Sequence, residues 1–326
     1  MYSTQPFSAG ESPWLQENKK IKKDGNFTGG LLLLLLCAQV LVSAGIFVAA
    51  FFNGWNLAAD NYGLGNTRFM LLNMLVYILF LVVPTAIVAA CSRRRAVAFP
   101  AKNVKKEIFV VCVLGGMALA ILSNLVTGWL MALMESVGIP LPQFPETVEK
   151  TGMSLLLNII STAVLPAFVE EWIFRGFVFG TLRAHGDGVA IVLSAALFGL
   201  FHGNLVQIPF AFLLGLVLAY LVVLTDSIWP SVALHGANNL MSVLLSFVGL
   251  YLPTTTANTV TVGVFLTVAA LGIAALLPVL LHHKQVLKPI GNGVSLYTVK
   301  QRVGKLLTAP LMVLALVGMV VLTGVS

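Results

Sequence analysis

Charge is scarce in this chain: 10% of its 326 residues are Asp, Glu, Lys or Arg, against roughly 25% in a soluble domain. That excludes a soluble fold, and with it a nucleic-acid-binding domain. Intrinsic disorder, which needs low hydrophobicity and high charge, is excluded too. Cysteine is also scarce. Cys37, Cys91 and Cys112 lie within or beside apolar runs without metal-ligand spacing, so a disulfide scaffold is excluded and buried free thiols are expected. Internal repeats, a P-loop and a soluble catalytic segment are missing as well. What the chain has is hydrophobic sequence, 58% of it, with several runs reaching the roughly 20 residues a helix needs to cross a bilayer. The expected fold is an all-α polytopic membrane protein, a bundle of about eight to nine transmembrane helices around an intramembrane polar cavity.

Apolar runs predict nine spans, at 30–52, 69–91, 108–135, 152–182, 187–203, 205–224, 229–250, 257–281 and 308–325. The pair around His202 to Pro209 reads equally as one broken helix. With the N-terminus cytoplasmic, Lys19, Lys20, Lys22, Lys23, Arg93, Arg94, Arg95, Lys102, Lys105, Lys106, Arg183, Lys284, Lys288, Lys300, Arg302 and Lys305 all fall inside, sixteen of the nineteen basic residues. The positive-inside rule thus accounts for the net charge of +7 without an anionic partner. The chain divides into a basic tail (1–29), a three-helix membrane region (30–151), a core (152–250) and a C-terminal region (251–326) with a basic segment at 282–307. That segment reads either as lying on the inner membrane surface or as a solvated loop. The expected location is a bacterial cell membrane.

Nearly all acidic residues sit in tails, loops or span edges, but Glu170 and Glu171 lie well inside the fourth apolar run, followed by Arg175. Each charge near a helix centre costs roughly 2.5–3.5 kcal/mol on the insertion scale, so three of them require a polar interior. Glu171 and Arg175 are four apart and share a helix face, while Glu170 points about 100° away. One glutamate is then neutralised by arginine and the other keeps a tunable proton, as acid/base chemistry requires. A buried ion-pair network serving helix packing is the competing reading. The next spans add Phe198 and His202, then His235 and Asn239, both at i, i+4 spacing. Counted from the cytoplasmic helix ends, Glu170 and His202 lie roughly 20 Å deep, Asn239 roughly 15 Å and His235 roughly 9 Å. His185, His282 and His283 are expected to be solvated, and Asn124 and Asn158 to help helices associate.

Glu170-Glu171-x-x-x-Arg175, Phe198-x-x-x-His202 and His235-x-x-x-Asn239, in that order on successive spans, resemble the signature of the CPBP intramembrane proteases, also called the Abi or CAAX protease family. The resemblance covers residues 152–250, and a ninth span would exceed the eight-helix arrangement associated with CAAX-processing members. It implies peptide-bond hydrolysis in a membrane cavity, on a lipidated or membrane-associated peptide or protein. By the same resemblance Glu170 and His202 activate water, and His235 with Asn239 stabilises the oxyanion. Glu171 and Arg175 support Glu170, and Phe198 packs beside His202. A metal-independent glutamate mechanism is favoured, without cofactor; the alternative is Zn2+ on Glu170, His202 and His235. Two other functions compete: a proton-coupled transporter, since intramembrane charges also mark transport paths, and a non-proteolytic membrane scaffold or immunity factor.

Overall fold

In hydrocarbon every backbone polar group must be satisfied within the protein, which makes the helix the natural form for an apolar chain of this kind. The computed structural model describes residues 11–59, 61–92, 99–139, 141 and 149–325. Among these, structure is helical apart from loops and one isolated bridge between Ala101 and Ser227. The elements are α1 (Pro13–Phe52), α2 (Asn66–Cys91), α3 (Lys106–Ser136), α4 (Gly152–His185), α5 (Asp187–Phe201), α6 (Gln207–Thr225), α7 (Trp229–Tyr251), α8 (Thr254–His282), α9 (Val299–Leu307) and α10 (Pro310–Val325).

Seven of these, α1 to α4 and α6 to α8, are long and apolar enough to cross a membrane, and α9 with α10 makes an eighth if that pair, bent by 72°, is one span. This is a multi-pass integral membrane protein, with seven or eight such helices among the described residues against the eight to nine expected. One expected span that falls short is α5. At 15 residues it rises about 22 Å, short of the roughly 30 Å hydrocarbon core. It ends where Gly203 turns to φ 68° and the Asn204 side chain accepts from the Gln207 backbone N–H at 2.8 Å, opening α6. A Cβ on Gly199 would lie 3.0 Å from the Ile208 carbonyl, and one on Gly215 would lie 3.1 Å from Ala195. The two helices therefore run antiparallel in close contact, a hairpin rather than one broken helix.

At 40 residues, α1 is about 60 Å long, twice the hydrocarbon thickness. Hydropathy marks where the chain enters the membrane, not where the helix starts, so the basic residues after Pro13 belong to the same helix as Leu31 to Leu36. Gly29 has no room for a Cβ against the backbone of Met312, which brings α1 and α10 side by side. Segment 284–307 contains the helix α9 and is packed against the rest of the chain rather than a free loop. It folds over the extension of α1, with Lys305 donating to Asn18 at 2.7 Å and Arg302 donating to the carbonyls of His185 and, at 2.7 Å, of Asn292.

Two helices of the bundle contain a proline that widens the preceding turn. Pro84 and Pro166 lack the N–H of the helical ladder and press on the carbonyl four residues back. The turns just ahead of them, Ile78–Val82 in α2 and Ile159–Val164 in α4, are π-helical. A third π-helical stretch, Trp172–Val178, carries Arg175. Such turns leave carbonyls open to side chains, a recurring feature of functional sites.

Some expected placements change. His185 is buried, not solvated, and lies 2.9 Å from Asp24 of α1, because segment 284–307 covers it. His282 and His283 are exposed as expected. Cys112 is buried, but Cys37 and Cys91 sit on outward faces with no packing partner over them, so only one of the three free thiols is buried. Asn158 bonds the Ser154 carbonyl at 2.9 Å and reaches Met70 of α2, a helix-associating role. Arg93, Arg94 and Arg95 lie outside the described residues.

The basic helix ends gather at one end of the molecule. Asp226 accepts from Lys288 at 2.7 Å and from Arg183 at 3.1 Å, with Lys102 at 3.8 Å, and Arg183 also donates to Asp187 at 2.8 Å. Burial pushes the Asp226 carboxyl up, but hydrogen bonds and charge from Lys288 and Arg183 outweigh it and hold the group below its ordinary value. The stabilisation is therefore fully present above the ordinary aspartate pKa of about 3.9 and is lost as pH falls through the lower folded value. Asp226→Asn is expected to lower the thermal unfolding midpoint at pH 7 and to remove part of the destabilisation seen on acidification below about pH 4. An unchanged pH–stability profile in the variant would show that the cluster does not tie these ends together.

Candidate active site

The site forms where α4, α5 and α7 meet, with α2 and α6 closing it. Glu171 and Arg175, both 0% exposed, lie 3.2 Å apart on one face of α4, as their spacing predicts. The approach is a charge contact rather than an aligned hydrogen bond, since neither Glu171 Oε2 nor Arg175 Nε has a hydrogen-bond partner. Arg175 Nη2 also donates to the Gly215 carbonyl of α6 at 3.4 Å. Its guanidinium lies 4.3 Å from the centre of the Phe198 ring, a cation–π contact worth about 2 kcal/mol when desolvated.

The other oxygen of Glu171 binds His235. His235 Nδ1 is 2.9 Å from Glu171 Oε1, and Nε2 faces Glu170 Oε2 at 3.9 Å. One imidazole thus stands between the two glutamates. Counting depth from helix ends placed His235 far shallower than Glu170 because it took those ends as level. The contacts of His235 with Glu170 and Glu171 put it level with them, and Trp229, which opens α7, packs against Phe168 with ring centres 6.1 Å apart.

Phe198 is the wall between the histidines. Its ring centre lies 4.8 Å from His202, with the rings perpendicular, and 5.9 Å from His235. His202 Nδ1 is 2.8 Å from the Phe198 carbonyl. A carbonyl only accepts, so Nδ1 carries the proton and Nε2 is left as the basic nitrogen. Asn239 is fixed at both ends of its amide: Nδ2 donates to the Thr162 carbonyl at 2.9 Å, and Oδ1 accepts from Asn238 at 3.1 Å. Thr162 belongs to the π-helical turn ahead of Pro166, which explains why its carbonyl is available. One N–H of Asn239 remains.

Glu170, Glu171, Arg175, Phe198, His202 and His235 form one connected set, while Asn239 bonds Thr162 and Asn238 one turn further along α7; Asn238 and Tyr77 are partners that sequence reasoning missed. Asn238 adjoins a motif residue, so its position alone did not distinguish it from a packing residue. Tyr77 donates to Glu170 Oε1 at 3.1 Å from α2, and nothing in the sequence links positions so far apart. Sequence also gave no sign of an apolar cavity of about 340 Å³ between α3, α4 and α7, lined by Phe109, Ala163, Ala167, Trp229, Gly236 and Leu240 among others. Its wall residues flank Glu170, His235 and Asn239 in sequence.

Zinc would need Glu170, His202 and His235 around one point. Among the described residues, no group of three or more His, Cys, Asp or Glu side chains is so arranged. No step below passes through a metal.

Residues 152–241 match the family described as Type II CAAX prenyl endopeptidase Rce1-like. The matched segment holds every residue of the three motifs and agrees with their CPBP resemblance. The Rce1-like segment spans less than a third of the chain, so α1 to α3 and α8 to α10 lie outside it. No curated protein and no solved structure matches the chain.

Breaking a buried ion pair from one side leaves the other charge stranded, at a cost of about 3–5 kcal/mol. Arg175→Ala is expected to destabilise the protein by about that amount, and Arg175→Met combined with Glu171→Gln to recover most of it. Thermal unfolding of the purified variants tests this. Equal loss in the single and double variants would show that the pair is not coupled by charge.

Proposed function

We propose that the protein is an intramembrane endopeptidase in which Glu170, with His202, activates water to cleave a lipidated or membrane-associated peptide. The observation that carries this reading is the convergence of Glu170, Glu171 and His235 within hydrogen-bond or near-contact distance inside the membrane-spanning bundle, with His202 across the same phenyl ring. Glu170 is the reactive member, because its side chain is 16% exposed while Glu171 is sealed at 0% against Arg175.

Glu170 takes a proton from water as the water oxygen attacks the scissile carbonyl carbon, with the basic Nε2 of His202 sharing that proton. The carbonyl oxygen becomes an anion facing His235 Nε2 and the remaining N–H of Asn239. His235 donates from Nδ1 to Glu171, and a second proton on Nε2 makes it a donor to the oxyanion while balancing the second carboxylate. Collapse breaks the C–N bond as the transferred proton passes to the leaving amine, giving a new carboxyl and a new amino terminus. The apolar cavity beside the site suits the lipid portion of such a substrate, since lipidic groups are recognised by apolar concave surfaces.

Glu170→Gln keeps the shape and removes the base. It is expected to abolish cleavage of a farnesylated, internally quenched CAAX peptide by the purified, folded protein, and Asn239→Ala to slow single-turnover cleavage roughly 10²–10³-fold. Wild-type turnover by Glu170→Gln, free of contaminating protease, would overturn the assignment. Treatment with 1,10-phenanthroline is expected to leave the rate unchanged; loss of activity that zinc restores would assign a metal mechanism instead.

A further inference from the structure

Glu170 is held by a residue that the family match does not supply. A glutamate side chain has three rotatable bonds, and a base that swings freely samples its reactive pose only part of the time. Here one oxygen is pinned: the Tyr77 hydroxyl donates to Glu170 Oε1 across 3.1 Å, while Oε2 is the oxygen turned toward His235. Tyr77 lies on α2, outside residues 152–241.

The tyrosine is itself held in place. Its ring stands edge-on to Phe80, 5.7 Å between centres, and it packs against the main apolar core. It is the last residue before the π-helical turn Ile78–Val82, which Pro84 forces, so the proline fixes where the face carrying Tyr77 ends. Seven residues back on the same face, Met70 meets Asn158 of α4. Two contacts thus set the register of α2 against α4, and the second ends on the proposed base.

We propose that Tyr77 is a positioning residue that holds the Glu170 carboxylate with Oε2 directed to the site of chemistry. This rests on the reading of Glu170 as the group that activates water. It differs from the plainer role of a tyrosine whose hydroxyl only needs a partner in an apolar surrounding, since that role would affect folding and leave the chemical step alone.

The test uses the purified full chain and the farnesylated quenched peptide, comparing Tyr77→Phe, Glu170→Gln and a protein with 4-aminophenylalanine placed at position 77, which restores a donor on a ring of the same shape. Tyr77→Phe is expected to lower kcat roughly 10- to 100-fold, the effect of one hydrogen bond to an ionised group. KM is expected to stay within about twofold of wild type, since the lost interaction orients the base rather than binding substrate. The thermal unfolding midpoint should remain close to wild type, and 4-aminophenylalanine should restore most of the rate. A wild-type kcat in Tyr77→Phe beside an inactive Glu170→Gln would overturn the positioning role and leave the proposed function standing. A rate loss that the amino analogue does not recover, or one matched by a fall in folded protein, would make the residue structural. Wild-type activity in Glu170→Gln would overturn both.

Discussion

Glu171 is a carboxylate sealed from water, and much of the site's order depends on how its charge is compensated. One oxygen faces Arg175 and the other binds His235, so α4 and α7 are joined by a single side chain. A buried charge without partners is costly enough to shift structure or protonation, and the partners must therefore stay in place. Arg175 lies in turn over Phe198 and reaches the backbone of α6. From one carboxylate the constraint spreads to four helices. Glu170, the next residue in sequence, faces away from that sealed pair by helical geometry alone and retains access to a reactant.

Departures from ideal helix supply the rest of the arrangement. Pro166 opens a turn of α4 whose Thr162 carbonyl orients Asn239, and Pro84 opens a turn of α2 directly after Tyr77. In a membrane such freed groups must be met by neighbouring side chains, and here the neighbours are members of the site. The short α5 serves the same end. Because it ends at Phe201, His202 stands beside Phe198 at the site, with Asn204 and Gln207 satisfying the turn that follows.

The sequence was most legible where chemistry and periodicity coincide. Charged residues in an apolar run mark Glu170, Glu171 and Arg175 without a structure, and i, i+4 spacing correctly pairs Glu171 with Arg175 and Phe198 with His202. Basic residues likewise marked the helix ends that cluster around Asp226. Three things were not legible. Hydropathy does not measure whether a helix reaches across, so α5 was read as a span, and it does not see a polar helix start, so α1 was read too short. Depth counted along one helix assumes that helix ends are level, which the contact of His235 with Glu170 and Glu171 disproves. Contacts between distant segments, such as Tyr77 with Glu170 or Asp24 with His185, have no local signature, because a lone tyrosine or histidine reads the same whether packed or exposed.

Proteolysis by Glu170 within the membrane can be read from mass spectrometry of peptide termini in membranes of the source cell, comparing wild type with Glu170→Ala at matched folded levels. New termini, from lipidated or membrane-associated proteins, are expected to appear with wild type and vanish with the variant. Identical sets of termini with and without Glu170 would contradict it and leave a membrane protein whose buried charges serve transport or architecture.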